Sequence, residues 1–253
     1  MGYSKTNTLL GLPLMRGGIP ELHGVLRRAV KEGQPQVIAH LNLHALYLSR
    51  KNSWMGMFLQ QACFVYCDGE AVRWAAKILG LDVPEKIGLT RWVWDLAGLC
   101  EKEGLSLFLL GGRPGIAAAA AQNLQSRYPG LQIAGTQDGY FDHHGPENEQ
   151  LIQKLKKIQP DVTIVAFGMP LQEAWLRDYL PRFNRGVFIP GGGVLDYVSG
   201  RLGKAPAWMI HFHLEWLFRV CQEPQRLFKR YLIEIPWFFW VVAQEKLKEL
   251  FSS

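Results

Sequence analysis

Residues 162–179 read VTIVAFGMPLQEAWLRDY, and the change of pattern inside them decides the fold class. An apolar run of strand length comes first. Gly168, Met169 and Pro170 then interrupt it, and a helix-period segment follows from Leu171. Strand, glycine-proline turn and helix in that order are the repeating half of a parallel sheet covered by helices.

The same alternation runs outward in both directions. Apolar runs at 36–39, 63–67, 105–110, 131–135, 162–167 and 186–189 read as strands, and segments 70–79, 91–103, 114–128, 148–158 and 171–179 as helices. Gly80 and Gly104 suit helix C-termini, and Pro114 suits a first helical turn. The order predicts an α/β fold: a Rossmann-like, mainly parallel sheet flanked by helices. After Gly200 the alternation stops. Residues 1–200 therefore read as an α/β catalytic domain, and 201–253 as a basic, aromatic, helical appendage that associates with a membrane surface.

Composition bounds what the appendage does. The chain has 253 residues, 48% of them hydrophobic, and a formal charge of +6. Its longest apolar run, near 235–243, contains Pro236 and is far shorter than the ~20 residues a spanning helix needs, so no crossing of a bilayer is expected. The N-terminus lacks the basic and apolar regions of a secretion signal. Cys63, Cys67, Cys100 and Cys221 form no CxxC pair, as expected of reduced thiols in a cytoplasmic protein. Between Arg201 and Arg230 lie six basic residues and two acidic ones, and ten aromatic residues fall between Trp208 and Trp240. Trp and Tyr favour the headgroup boundary, and each nearby Lys or Arg adds up to ~1 kcal/mol on an anionic leaflet. A helix buried on the domain, or an oligomer interface, would read similarly.

In sheets of this kind ligands collect at the carboxyl ends of strands, and the residues with chemistry fall there. Asp68-Gly69 follows the second strand, Gly111-Gly112-Arg113-Pro114-Gly115 the third, Asp138-Gly139-Tyr140 the fourth, Gly168-Met169-Pro170 the fifth and Gly191-Gly192-Gly193 the sixth. The glycine-rich turn at 111–115 lets backbone approach an anion such as a diphosphate, yet is neither a Walker loop nor GxGxxG. Asp68 can take a proton from a sugar hydroxyl or cap the next helix; spacing alone favours the cap. Gln172 can read a uracil, a ribose or a phosphate oxygen, Glu173 can join a capping network, and Asp196 can bind a hydroxyl or cap a helix. No Asp-x-Asp metal motif occurs. His40 and His44 lack an evident third ligand, and His143-His144 sits in a polar loop, so no metal is expected.

Read together, the motifs resemble one family. Asp-Gly at 68–69, Pro-Glu-Lys-Ile-Gly at 84–88, Gly-Gly-Arg-Pro-Gly, Asp-Gly-Tyr-Phe at 138–141, Gly-Met-Pro-Leu-Gln-Glu, Gly-Gly-Gly-Val-Leu-Asp, Lys-Ala-Pro at 204–206, Leu-Glu-Trp-Leu-Phe-Arg, Glu-Pro-Gln-Arg and Lys-Arg-Tyr follow in order. Over 37–231 this closely resembles the WecG/TagA/CpsF glycosyltransferases. The resemblance implies inverting, metal-independent transfer of a hexosamine-type sugar, N-acetylmannosamine-like or its uronate. The donor would be a UDP-sugar and the acceptor a polyprenyl-diphosphate-linked sugar, at the cytoplasmic membrane face, in surface polysaccharide synthesis. It implies Asp68 as general base, with Gln172 and Lys86 also in the catalytic set. Asn42, His40, Gly111, Gly112, Gly139, Tyr140, Gly168, Gln172, Gly192 and Asp196 would surround the donor. Arg219, Arg226, Lys229 and Arg230 would hold the lipid diphosphate or the leaving UDP, with no cofactor.

Two departures stand out: His40 replaces the family's usual threonine, and Lys86 its arginine, which keeps the charge and loses the bidentate fork. Lys204 likewise replaces an arginine. These departures keep open a non-catalytic UDP-sugar-binding scaffold or sensor at the membrane. A dinucleotide oxidoreductase is disfavoured by the missing GxGxxG, and a nucleic-acid binder by aromatics gathered in a compact stripe rather than along a groove. Self-association could shield the apolar surface until lipid is met.

Overall fold

The computed structural model describes residues 6–251 other than Lys204 and His213. A hairpin, β1 (Thr6–Leu9) and β2 (Leu12–Met15), precedes α1 (Ile19–Glu32). The main sheet and its crossovers follow: β3 (Gln36–Leu41), α2 (Leu43–Lys51), α3 (Ser53–Gln61), β4 (Phe64–Cys67), α4 (Glu70–Ile78), α5 (Leu89–Glu103) and β5 (Ser106–Gly111). Then come α6 (Ile116–Arg127), β6 (Gln132–Gln137), α7 (Pro146–Ile158), β7 (Val162–Ala166), α8 (Leu171–Tyr179), β8 (Val187–Pro190) and α9 (Val194–Val198). α10 (Ala207–His211), α11 (Glu215–Gln222) and α12 (Pro224–Phe251) complete the described chain.

Six strands pair in the order β4-β3-β8-β7-β5-β6, every pairing parallel. This is the α/β sheet that the sequence predicts. Each residue of β7 is buried, because a central parallel strand is covered on both faces. One face carries α1, α5, α6 and α9 on a core that includes Leu26, Trp92, Leu124 and Leu195. The other carries α2, α3, α4, α7 and α8 on Leu46, Phe58, Val72, Ile152 and Trp175. The helix after β3 leaves to the second face and the helix after its neighbour β8 to the first. That divergence opens a crevice at the carboxyl edge, the place where such sheets bind ligands.

Several boundaries differ from the sequence reading. Pro114 lies outside α6, which starts at Ile116 behind Gly115 in the left-handed region. Gly104 caps α5 in that region as expected, and Gly80 follows α4. The hairpin, α1, α2 and α3 lie in stretches the reading left unassigned.

The last helices pack on the sheet's helical layer, α12 meeting α2 and α4. Leu227, Glu234, Phe238 and Val242 are buried on one side of α12, whereas Phe228, Leu232 and Trp240 on another are exposed. Each fully buried apolar side chain of that size stabilises by about 1.5–3 kcal/mol, so the docked stripe is an ordinary core contact. The buried-helix reading of this segment thus holds for one face of α12, and the other face is open. Among the described residues no helix is long and apolar enough to cross a membrane.

Candidate active site

At the end of β4 the chain makes the turn that places Asp68. The Asp68 N–H donates to the Leu41 carbonyl at 2.9 Å, extending the β3–β4 ladder by one bond. Gly69 follows at φ 129°, ψ 156° and is the N-cap of α4, with no side-chain cap. That backbone region belongs essentially to glycine. The cap that spacing favours for Asp68 is thus displaced: the residue stands one position too early. Its half-buried carboxylate accepts no hydrogen bond among the described residues.

The loop carrying Lys86 is tied to the same strand end, since the Ile87 N–H donates to the Cys67 carbonyl at 2.8 Å. Lys86 Nζ sits 3.2 Å from Glu70 Oε1, and Arg73 reaches Glu70 Oε2 at 3.1 Å. Two carboxylates and two cations therefore gather around the end of β4. Burial, then the Asp68 charge, push the Cys67 thiol up to about 12, with Arg73 and Lys86 opposing. Burial, then Asp68, likewise push the Tyr66 phenol well up; its hydroxyl has no hydrogen-bond partner among the described residues.

The end of β3 supplies His40 and Asn42. His40 is buried with its ring 5.8 Å from Tyr66. Asn42 caps α2, its Oδ1 accepting from the Ala45 N–H at 2.9 Å, which leaves its Nδ2 as the group to meet a ligand. His44 lies on α2 and pairs with Glu234 of α12 at 2.5 Å, so the two histidines belong to different elements. Among the described residues no three His, Cys, Asp or Glu side chains gather as metal ligands would.

Across the crevice, Gln172 is wholly buried and spends its amide internally. Its Oε1 accepts from the Gly168 N–H at 3.2 Å and the Gly192 N–H at 2.8 Å, while Nε2 donates to Glu173 Oε1 at 2.8 Å. It joins the loops after β7 and β8. Glu173 is 1% exposed, and burial pushes its carboxyl up to about 7 against the pull of the Gln172 amide. Sequence reasoning gave Glu173 only a capping role; the adjacent Gln-Glu pair was the available signal.

The remaining residues line the same edge less closely. A Cβ on Gly111 would fall onto the Ala166 carbonyl, so that glycine serves the approach of β5 to β7. The Gly139 N–H donates to the Gly112 carbonyl at 2.8 Å, drawing the β6 loop in. Tyr140 is 70% exposed. Asp196 pairs with Arg201 at 2.7 Å.

From α12, Arg230 Nε lies 3.3 Å from Glu234 Oε2. It borders a cleft of about 360 Å³ shared with His44, Tyr47, Met169 and Ile233. The side chains of Arg219, Arg226 and Lys229 lie outside the described residues.

A parallel sheet whose helices part between β3 and β8, with a half-buried carboxylate and two cations after β4 on one side and glycine loops after β7 and β8 on the other, defines an α/β enzyme working at its carboxyl edge. The chain belongs to the Glycosyl transferase WecG/TagA/CpsF family, matched over residues 7–251, and is a glycosyltransferase. It is 26% identical over 248 residues to the Bacillus subtilis (strain 168) protein named N-acetylglucosaminyldiphosphoundecaprenol N-acetyl-beta-D-mannosaminyltransferase, covering 98% of this chain and 95% of that one. Proteins of the same name match from Bacillus spizizenii (28% identical, 74% of this chain and 71% of that one) and Staphylococcus aureus strain MW2 (27%, 85% and 79%).

Proposed function

We propose that this chain transfers a hexosamine-type sugar, N-acetylmannosamine-like or its uronate, from a UDP-sugar to a polyprenyl-diphosphate-linked sugar, with inversion and without a metal. The observation that carries the reading is Asp68, a carboxylate uncommitted to any cap or ion pair among the described residues, at the crevice of a chain in this family. The names of its relatives supply the acceptor class and the sugar.

In this reaction Asp68 takes the proton of the acceptor hydroxyl as that oxygen bonds to the anomeric carbon. The bond from that carbon to the β-phosphate oxygen breaks, and its electron pair leaves with UDP. Charge developing on the leaving diphosphate is met by fixed cations: Lys86 beside Glu70, and the basic residues of α11 and α12, of which Arg230 borders the cleft described above. The exposed aromatic face of α12 lies along the cytoplasmic membrane surface, where a lipid-linked acceptor would be presented.

The test is a donor screen by mass spectrometry. UDP-N-acetylmannosamine and related UDP-sugars are incubated with a prenyl-diphosphate-linked N-acetylglucosamine acceptor in vesicles, with and without a chelator. One donor is expected to react, chelator-insensitively, with inverted anomeric configuration by NMR. Asp68→Asn removes turnover and leaves UDP binding in place. Transfer from no donor, or normal turnover by Asp68→Asn, overturns the reading.

A further inference from the structure

We propose that Glu173 is a positioning residue for the crevice, fixing the Gln172 amide in the one orientation that ties the loop after β7 to the loop after β8. This rests on the donor-binding reading of that edge and extends it to a residue outside the expected site.

A glutamine amide has an accepting end and a donating end, and turning it over exchanges them. Gln172 faces two backbone N–H groups, those of Gly168 and Gly192, so only its oxygen can serve there. Turned over, it would aim NH₂ at two donors and leave both glycine amides unsatisfied. The other end enforces the same choice. Glu173 Oε1 receives the Gln172 Nε2 hydrogen at 2.8 Å, and that oxygen can accept whether the group is a carboxylate or a neutral acid protonated on Oε2. Both side chains are buried, so water does not compete for either end of the amide.

Stability gives little reason for a carboxylate in this place. Glu173 Oε2 is buried with no hydrogen-bond partner among the described residues, and unpaired buried polar atoms are costly. A glutamate in the first turn of α8 suits the helix dipole, yet an exposed side chain would give that benefit without the burial. What the buried acid adds is the direction of its neighbour's amide. Gly168 and Gly192 both hold left-handed backbone, at φ 86° and φ 57°, each at the turn of its loop. Fastening the two turns to one amide sets the spacing of two walls of the crevice before a donor arrives, which is how a rigid site gains affinity.

The experiment compares Glu173→Leu, Glu173→Gln, Gln172→Ala and the double variant Gln172→Ala/Glu173→Leu. Donor and acceptor KM, kcat, UDP binding by calorimetry and hydrogen exchange of peptides spanning 167–170 and 190–194 are measured. Glu173→Leu is expected to weaken UDP binding and raise donor KM about tenfold, the scale of one lost hydrogen bond. Acceptor KM stays put and both loops exchange faster together. Glu173→Gln recovers most of the loss, because its carbonyl can accept the same hydrogen.

On the Gln172→Ala background, Glu173→Leu costs nothing further, since Glu173 acts only through that amide. Additive losses, or exchange that quickens in one loop or neither, overturn the proposal. Should Glu173→Leu not fold, Gln172→Met, which keeps length and loses the carbonyl, must loosen both loops, and protected loops there overturn it equally. If the wild-type chain transfers no sugar, the function proposed above fails while the exchange data still decide the role of Glu173.

Discussion

Replacing Glu173 by glutamine separates the charge of this buried group from its shape. In the folded chain burial pushes the carboxyl from an ordinary 4.5 up to about 7. The folded state therefore holds the proton more tightly than the unfolded chain. Below about pH 4.5 both states are protonated and the full stability stands; as pH rises through 7 the folded chain must ionise a buried acid, and stability is lost. At ~1.4 kcal/mol per unit, the shift implies a loss of about 2 to 3 kcal/mol between pH 5 and pH 8 from this group alone. Glutamine cannot ionise, so Glu173→Gln should lack that loss. Exposed carboxylates such as Glu149, drawn down to about 2 by its hydrogen bond to Arg182, act in the opposite sense at lower pH and cancel in the comparison. Urea titrations of both proteins at the two pH values give the difference directly. Parallel losses in wild type and variant would refute the reasoning.

Further outcomes follow from other contacts. His44→Ala leaves Glu234, 2% exposed, without its 2.5 Å partner; docking of α12 should weaken by about 1.5–3 kcal/mol. Trypsin cleavage within 229–248 should then quicken while core peptides stay protected, and unchanged cleavage would show that the His44–Glu234 pair does not hold α12 down. Gly111→Ala drives a methyl onto the Ala166 carbonyl at φ 135°; the chain should misfold or melt markedly lower, and an unaltered Tm would remove the close-approach argument. Replacing Phe228, Leu232 and Trp240 together by serine takes apolar area from the exposed face of α12 and should release the protein from anionic vesicles without altering its far-UV spectrum. Unchanged sedimentation would favour a surface that meets another protein.

The parallel sheet was legible because buried central strands such as β7 leave uninterrupted apolar runs and glycine marks their ends. The N-terminal third was harder. The turn between β1 and β2 uses Leu10 at φ 51° with Gly11 at φ 82°, and leucine is no signal for a turn that demands positive φ. In α1 the stripe Leu22, Val25, Leu26 and Ala29 does have helical period, so that helix could have been found. Asp68 shows the limit on sites. Aspartate before glycine before a helix has the composition of a cap, and only the observed start of α4 frees the carboxylate. The His44–Glu234 pair joins residues far apart in sequence, and no local pattern announces it.

The strand order also divides the labour among the residues first grouped as catalytic. Asp68 follows β4 and Gln172 follows β7, with β3 and β8 between them. Three steps of ~4.8 Å put these strand ends about 14 Å apart, too far for both side chains to act on one reacting atom. A ligand serving both must lie along the carboxyl edge rather than point into it. On the proposed reading the anomeric carbon is then held on the β4 side, beside Asp68 and the Lys86–Glu70 pair, while the nucleotide end reaches toward the loops that Gln172 fastens. Loss of Asp68 should accordingly strike kcat, and loss of Gln172 donor affinity. A variant of Gln172 that lowered kcat at saturating donor and left UDP binding untouched would show that the ligand does not span the edge in this way.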